Sequence, residues 1–152
     1  MGEVHSLEPI LKSHPFFAGM SPAHISLLAG CAANVRFEPG QYIMKMGEPA
    51  NKFYIIREGR VAVEVTPPGR GSIIIETQAD GDVLGWSWLF PPYQWNLNAR
   101  ALETVRAVGL DAACLRGKLD QDHELGYEMY KRFTQIIQDR FQAMRDQLMA
   151  QV

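Results

Sequence analysis

The residues best suited to bind a small molecule are concentrated in one stretch, GDVLGWSWLFPPYQW, which covers residues 81–95. It contains Gly81 and Gly85 together with all three tryptophans of the chain, and it has no lysine or arginine. Glycine lets a backbone approach a ligand closely, and an indole offers a large flat surface for stacking or for core packing. The tryptophans are Trp86, Trp88 and Trp95. The stretch therefore predicts a loop that either lines an apolar pocket or fills it.

The histidines and acids do not form a catalytic or metal-binding pattern. A metal-dependent jelly-roll enzyme of the cupin type needs an H-x-H motif with a later glutamate and histidine, and no histidine falls in the β-rich middle of the chain. The chain also lacks a G-x-S-x-G motif and a P-loop. The histidines are His5, His14, His24 and His123, and the acids Glu48, Glu58 and Glu76 are expected on the surface. We therefore expect no catalytic residue, metal or cofactor, and a cupin enzyme is only a distant alternative.

Residues 34–110 have the pattern of short strands separated by turns. The run RVAVEV alternates with period two and places Val61, Val63 and Val65 on one face. Glycines separate this run from similar runs every eight to twelve residues or so. Regular short strands of this kind predict a β-sandwich or barrel rather than a parallel α/β sheet.

Helices are expected on both sides of this β region. The segment SPAHISLLAGCAA begins with Ser21 as a predicted N-cap and Pro22 at the first helical position. A shorter helical segment precedes it and is interrupted by Pro15. After Leu110, Asp111 is a predicted cap for a further short helix.

A long helix is predicted from about residue 120 to residue 149. Apolar residues recur along it at steps of three and four, and about 28 helical residues span roughly 42 Å. Since a small domain does not need that length to cover its core, we expect the outer half to pair with a second copy of the chain. The alternative is that the helix folds back on its own domain. The residues of the predicted dimer face are Tyr130, Phe133, Ile137, Phe141, Met144 and Leu148, with Arg140 interrupting a strict heptad.

Composition excludes several classes of partner. The chain has 152 residues and a net charge of -2, which predicts one domain without a general attraction to nucleic acids or acidic membranes. No apolar run approaches the roughly 20 residues needed to span a bilayer. The start of the chain has no signal-peptide pattern, although Gly2 and Ser6 weakly match a myristoylation motif. We expect a cytoplasmic protein that does not bind membranes.

Two cysteines, Cys31 and Cys114, are far apart in the sequence and form no C-x-x-C motif. In a reducing cytoplasm, two buried free thiols are the expectation. A bridge between them is the alternative.

The order of glycine motifs resembles that of the cyclic nucleotide-binding domain family, which includes cAMP receptor proteins and regulatory kinase subunits. In FEPGQYIMKMGEPANKFYIIREGRVAV, an aromatic residue precedes Gly40, an acid follows Gly47, and the strand FYII precedes Gly59. GDVLGWSWLF is similar to the start of the family's phosphate-binding cassette. The resemblance covers roughly residues 7–149. It implies an eight-stranded double-stranded β-helix, or jelly roll, with N-terminal helices and a long C-terminal helix.

The resemblance also implies a division of the chain and a role for its last helix. Residues 7–119 correspond to the β-roll with its flanking helices, and residues 120–150 to a long dimerisation helix of the same domain. In the family this helix pairs two subunits and commonly leads into a DNA-binding domain. No recognition helix follows here, so we expect no direct DNA binding by this chain.

The cassette departs from the family pattern at two positions. The family's glutamate, which binds the ribose hydroxyl, is replaced by Trp86, and its phosphate-binding arginine falls at Trp95 or Asn96. A buried anion needs a cation or several N–H donors. Ser87 and Asn96 offer only neutral hydrogen bonds. Cyclic AMP binding is therefore expected to be altered or lost.

Three interpretations of the pocket remain open. The tryptophans fill it as core, or they line a site for an apolar or aromatic molecule, or a cyclic nucleotide binds with a relocated cation, Arg100 or Arg70. In each case we expect a non-enzymatic regulatory or sensor domain. The alternative function is a ligand-free interaction scaffold that works through the C-terminal helix. The expected pocket residues are Gly81, Gly85, Trp86, Ser87, Trp88, Trp95, Asn96 and Arg100.

Overall fold

The computed structural model describes residues 7–151. The myristoylation pattern at Gly2 and Ser6, and His5, lie outside the described residues. The helices are α1 (Glu8–Ser13), α2 (Pro22–Ala29), α3 (Ala112–Gln121) and α4 (His123–Ala150), and 3-10 turns cover Pro15–Phe17 and Ser87–Leu89. The strands are β1 (Ala32–Phe37), β2 (Tyr42–Met44), β3 (Lys52–Glu58), β4 (Val61–Val65), β5 (Ile73–Gln78), β6 (Val83–Leu84), β7 (Asn98–Ala101) and β8 (Val105–Asp111).

The eight strands form two four-stranded antiparallel sheets. The strand order is β1-β8-β3-β6 in the first sheet and β2-β7-β4-β5 in the second. Val61 and Val63 lie in the core and Val65 packs against it, as the alternation predicts, but Ala62 and Glu64 of β4 are fully buried as well. The predicted jelly roll with flanking helices is therefore confirmed.

Helix α2 begins where the sequence indicates, but it ends at Ala29, earlier than predicted, because Ala32 and Ala33 already belong to β1. The Ser21 side chain accepts a hydrogen bond from the His24 N–H and Pro22 occupies the first turn of α2, as predicted. Leu11, Ile25 and Leu28 are buried against the roll. The N-terminal helices thus close one side of the core.

The last helix starts later than predicted, because Asp122 separates it from α3. Asp122 has an extended backbone and its carboxylate accepts the Leu125 N–H, so it caps α4. Leu125, Met129 and Phe133 on the first half of α4 are fully buried. No helix within residues 7–151 combines the length and the apolar character needed to cross a bilayer.

The outer half of α4 also contacts the domain, so the expectation that it has nothing of its own to pack against is wrong. Arg140 is only 4% exposed and pairs with Glu76 of β5. Nearer the end of α4, the Gln147 side chain donates a hydrogen bond to the Ile74 carbonyl of β5 at 3.0 Å. The outer half of α4 therefore contacts β5 at two positions.

The expectation of free thiols is also wrong, because Cys31 and Cys114 form a disulfide bond. Strand pairing brings them together: β1 and β8 are in register from Ala32 opposite Leu110, and the Asp111 N–H donates to the Cys31 carbonyl at 2.9 Å. Residue 31 just before β1 and residue 114 just after β8 consequently meet. This contact joins positions 83 residues apart.

Candidate functional site

The centre of the cassette segment, residues 81–96, is a glycine held against an indole ring. Gly85 has a positive φ of 96°, a conformation that favours glycine. A Cβ atom at this position would lie 2.7 Å from Cη2 of Trp95. Trp95 is 7% exposed. The space next to the Gly85 backbone is therefore filled by a side chain of the same segment.

Trp88 belongs to the hydrophobic core. It is fully buried in the 3-10 turn, stacks on Phe53 with ring centroids 5.3 Å apart and meets Phe133 edge to face at 5.5 Å. Within residues 7–151 its Nε1 has no hydrogen-bond partner. Its backbone carbonyl accepts a 2.7 Å hydrogen bond from Arg116 of α3. Trp88 thus links the cassette to both α3 and α4 without lining a pocket.

Trp86 is partly exposed and packs against a cation from the last helix. The Arg140 guanidinium lies 5.2 Å from the centre of the indole ring, within the range of a cation–π interaction. Arg140 Nε is also 2.7 Å from Glu76 Oε2, as an ion pair without the alignment of a hydrogen bond. Burial lowers the pKa of Arg140, and the Glu76 carboxylate acts in the opposite direction.

A β-bulge places Glu76 on the inner side of the roll. The register between β4 and β5 shifts after Val63, so that Glu76 lies opposite Val63 and Ile74 opposite Glu64. Partners in an antiparallel pair share a face, and Val63 is a core residue. Gln78, which is also buried, donates a hydrogen bond to Glu76 Oε1. The prediction that Glu76 is a surface acid is therefore wrong.

Sequence reasoning missed both Glu76 and Arg140 as members of this site. A glutamate inside the apolar run SIIIETQ was a weak signal for Glu76, and an arginine within the amphipathic repeat of α4 was one for Arg140. Neither signal identified the other residue, because only the fold brings β5 and α4 together.

Arg100 does not belong to the pocket. Ala99 and Ala101 of β7 point into the core, so Arg100 between them lies on the outer face of the sheet. Its Nε and Nη2 each donate to the fully buried Glu64 at 3.2 Å. These interactions raise the pKa of Arg100. Its predicted place as a relocated phosphate-binding cation is contradicted by this orientation.

Of the remaining residues predicted at the pocket, some are buried in the domain and others are exposed on its surface. Ser87 is buried in the 3-10 turn, whereas Asn96 and Arg70 are exposed. Gly81 has a φ of 89° and its Cα faces the Pro15 ring. The structure thus brings Gly85, Trp86 and Trp95 together, with Ser87 alongside in the same segment, and leaves Asn96, Arg70 and Arg100 apart from them.

A cleft of about 350 Å³ lies between β5, the start of β6, α4 and the first 3-10 turn. Glu76, Asp82 and Asp139 contribute carboxylates, and Arg140 contributes the cation. Phe16 and Ile136 form its apolar side. The cleft is therefore polar, acidic on balance and bordered by the Glu76–Arg140 pair.

The sequence model of the cyclic nucleotide-binding domain matches residues 34–122, which is more than half of the chain. The chain belongs to the cyclic nucleotide-binding domain family. The match includes the whole cassette segment and every strand except the first two residues of β1.

Relatives agree with this assignment. The chain is 26% identical over 125 residues to a CRP-like cAMP-activated global transcriptional regulator of Mycobacterium tuberculosis, covering 82% of this chain and 56% of that protein. It thus spans little more than half the length of this relative. A cyclic nucleotide-binding domain from Methylobacillus flagellatus superposes with a TM-score of 0.80 at 17% identity, over 98% of this chain and 88% of that one. The regulatory subunit of a cAMP-independent protein kinase A from Trypanosoma brucei gives 0.73 at 24% identity, over 93% and 50%.

In this cyclic nucleotide-binding domain, α4 presents an apolar face to solvent. Its members are spaced alternately by three and four residues, which is the heptad spacing of a coiled coil. They are Tyr127, Tyr130, Thr134, Ile137, Phe141, Met144 and Leu148. Phe133 is not among them, because it is fully buried in the core. Arg140 points to the roll on the other side of the helix and does not interrupt the repeat, contrary to expectation.

Within residues 7–151 of the domain, no three His, Cys, Asp or Glu side chains are close enough together to hold a metal ion. His24 instead lies 3.4 Å from Asp122 at the junction of α3 and α4. The chemistry available at the cassette is therefore stacking, ion pairing and hydrogen bonding.

Proposed function

We propose that this protein is a non-enzymatic regulatory domain in which the protein's own side chains close the nucleotide pocket, and that it acts as a homodimer through α4. The observation that carries this proposal is the ion pair between Glu76 and Arg140, which joins α4 to the inner face of the roll beside Trp86.

Electrostatics at this point oppose an anionic ligand. Arg140 is the cation that contacts Trp86, and Glu76 already pairs with it at 2.7 Å. A phosphate that took Arg140 would leave the Glu76 carboxylate without its partner. Removing one partner of a buried pair typically costs about 3–5 kcal/mol, and less here because the Glu76 side chain is 25% exposed.

Trp95 removes the charge that the family places at the phosphate. It fills the space beside Gly85 with an indole, where the family has an arginine by resemblance. A hydrogen bond to a charged group contributes about 1.5–3 kcal/mol, so its absence alone weakens binding by roughly ten- to a hundredfold or more. The neutral Asn96 is exposed and offers no replacement. Together the two changes support loss of cyclic nucleotide binding.

The similar proteins include a regulator described as cAMP-activated and a regulatory subunit described as cAMP-independent. That Trypanosoma brucei protein shares the fold over 93% of this chain, so the fold is compatible with a regulatory protein described as independent of cAMP. A second candidate, a sensor for a molecule other than a cyclic nucleotide, is favoured by the cleft of about 350 Å³ beside Trp86 and Arg140. Both candidates use α4 as the output element.

The test is a titration of the purified protein with cAMP, cGMP and cyclic dinucleotides. Tryptophan emission and Tm are both measured, since all three indoles lie in the cassette segment. We expect no change in either signal up to millimolar concentrations. A Tm rise at micromolar cAMP would show that the closed-pocket proposal is wrong. A response only to other metabolites in a wider screen would replace it with the second candidate.

A restored variant makes the negative result informative. Trp86→Glu/Trp95→Arg returns the two contacts that the family resemblance implies, and we expect it to gain a cAMP-dependent rise in Tm. The matched control, Trp86→Gln/Trp95→Met, opens similar space without the charges and should not respond. If the control gains the same response, pocket volume and not charge limits binding in the wild-type protein.

A further inference from the structure

The disulfide bond joins the turn between α2 and β1 to the first turn of α3. Cys31 lies between α2 and β1 and is 8% exposed, while Cys114 lies in the first turn of α3 and is partly exposed. Their Cα atoms are 5.7 Å apart. The chain contains no third cysteine, so neither thiol has a competing partner within the molecule.

The two sulfurs have different environments. Cys114 is near the positive end of the ten-residue helix α3, and Lys118 is one turn further along. The Lys118 ammonium also reaches Gly30, next to Cys31, where a Cβ atom would lie 3.5 Å from its Nζ. These features favour a thiolate, although the Asp111 carboxylate, which accepts the Cys114 N–H at 2.9 Å, opposes part of the effect. Cys114 is thus suited to exchange with an external thiol, and buried Cys31 to resolve the product.

We propose that Cys31 and Cys114 are a reversible thiol–disulfide site whose state is transmitted through α3 to the cassette. For oxidation by glutathione disulfide, the Cys114 thiolate attacks one sulfur and forms a mixed disulfide, releasing one glutathione thiolate. The Cys31 thiolate then attacks the Cys114 sulfur and releases the second. Two protein thiols lose two protons and two electrons, and one glutathione disulfide becomes two glutathiones.

Helix α3 provides the connection to the cassette. Arg116, two residues after Cys114, donates to the Trp88 carbonyl at 2.7 Å, and its guanidinium lies 4.5 Å from the centre of the Tyr93 ring. At its other end, α3 stops at Asp122, which caps α4. A shift of α3 after reduction therefore acts on both the cassette and the start of α4. This inference does not depend on closure of the nucleotide pocket.

The experiment equilibrates the folded protein in glutathione buffers of increasing oxidised fraction. Alkylation and intact mass give the fraction of the bond formed, and tryptophan emission reports on residues 86–95. We expect the bond to form without denaturant, and reduction to lower Tm by about 10 °C and to change the emission. Failure of the folded protein to form the bond, or identical emission in both states, would overturn the proposal.

Two kinds of variant distinguish the effect of the disulfide bond itself from its transmission through α3 to the cassette. Cys31→Ser/Cys114→Ser should show no emission response to the glutathione buffers. If the serine pair folds poorly, Cys31→Ala/Cys114→Ala makes the same comparison without a buried hydroxyl. Arg116→Met keeps both cysteines, so its Tm should still fall on reduction, while the emission change should shrink. Hydrogen exchange of peptides that cover residues 86–95 compares the oxidised and reduced states in the wild-type protein and in Arg116→Met. A response of wild-type size in Arg116→Met would contradict transmission through α3.

Discussion

The three tryptophans of one short stretch have three different surroundings. Trp88 is stacked within the core, Trp95 fills the space beside Gly85, and Trp86 supports a buried arginine from α4. Residue type therefore does not determine whether an aromatic side chain lines a site. What determines this is the position of the side chain relative to the strand ends and to α4, because these elements determine which face of the ring is covered.

The ion pair between Arg100 and Glu64 on the outer face of the second sheet is expected to contribute to stability and not to ligand binding. Replacing Arg100 with Met leaves the fully buried Glu64 carboxylate with the Tyr42 hydroxyl, at 3.5 Å, as its remaining partner among residues 7–151. Because the Arg100 side chain is 32% exposed and water can partly replace it, we expect a loss of about 2 kcal/mol and a Tm lower by about 4–8 °C. Thermal unfolding measures the change.

Arg106→Met is the matched control for that variant. Arg106 pairs with Glu58 in an arrangement where both side chains are more than half exposed, and such pairs contribute at most about 1 kcal/mol. An equal Tm loss in both variants would show that burial of Glu64 does not matter.

The buried His14 is expected to make stability dependent on pH. Its Nδ1 accepts the Phe16 N–H at 3.2 Å, and its Nε2 pairs with the Ile56 carbonyl at 3.1 Å, which suits the neutral ring. Burial lowers the pKa of His14, although the Ile56 carbonyl and Asp82 oppose this effect. The unfolded chain therefore binds the proton first as the pH falls below about 6.5, and the free energy of unfolding decreases.

Thermal unfolding between pH 7.5 and 5.5 measures this dependence. We expect the Tm of the wild-type protein to fall more steeply over this interval than that of His14→Asn, which has no titrating ring. His123→Asn, at an exposed position, should keep the wild-type slope. Equal slopes in wild-type protein and His14→Asn would mean that other groups cause the pH dependence.

At the scale of elements, α4 serves two surfaces at once. One side contributes Leu125, Met129 and Phe133 to the core and Arg140 to the site. The other side presents the heptad face, where Phe141 is 62% and Leu148 is 67% exposed. Exposed apolar side chains in a continuous row are typical of an interface, so a second copy of the same helix is the partner that we expect.

A charge within this face should separate the proposed dimer. Phe141→Glu places a carboxylate at the contact without disturbing the core, and Ile137→Glu does the same at a partly buried position. We expect sedimentation at the dimer mass for the wild-type protein and at the monomer mass for both variants. Gln142→Glu, which adds the same charge at an exposed position beside the face, should remain dimeric. A monomeric wild-type protein would disprove the proposed interface.

At the scale of the whole molecule, the β-roll and α4 form one cooperative unit. Phe133 contacts Phe53 of β3, Trp88 of the cassette and Phe16 of the first 3-10 turn, with ring centroids 5.0–5.5 Å apart. Arg132 fastens the same turn by donating to the Phe16 and Ala18 carbonyls. The division between residues 7–119 and residues 120–150 that the family resemblance implies therefore falls within a shared core.

Truncation tests whether the β-roll can fold without α4. A chain that ends at residue 121 loses three fully buried side chains, and removal of a buried Phe or Leu side chain alone typically costs about 2–5 kcal/mol, so we expect it not to fold. A chain that ends at residue 135 keeps them and should fold as a less stable monomer. Soluble yield, Tm and sedimentation are measured for both. Cooperative unfolding of the shorter chain would contradict a shared core.

The sequence alone determined the local elements and their order. Period-two alternation in residues 61–65, the Ser21 cap and the heptad spacing of α4 depend on neighbouring residues, so they could be predicted from short segments. The glycine spacing around Gly40, Gly47 and Gly85 carried the resemblance to the family, and the resemblance implied the jelly roll; each of these glycines has a positive φ.

Only the tertiary structure decided which residues meet. The bulge in β5 turned Glu76 inward, strand pairing brought Cys31 to Cys114, and the rotation of α4 put Phe133 and Arg140 on the roll side. Each of these contacts joins residues more than 60 positions apart or depends on a one-residue shift of register, which short-range patterns do not encode. The indole positions were visible in the sequence, but only the fold placed Trp95 against Gly85 and Trp86 against Arg140 of α4.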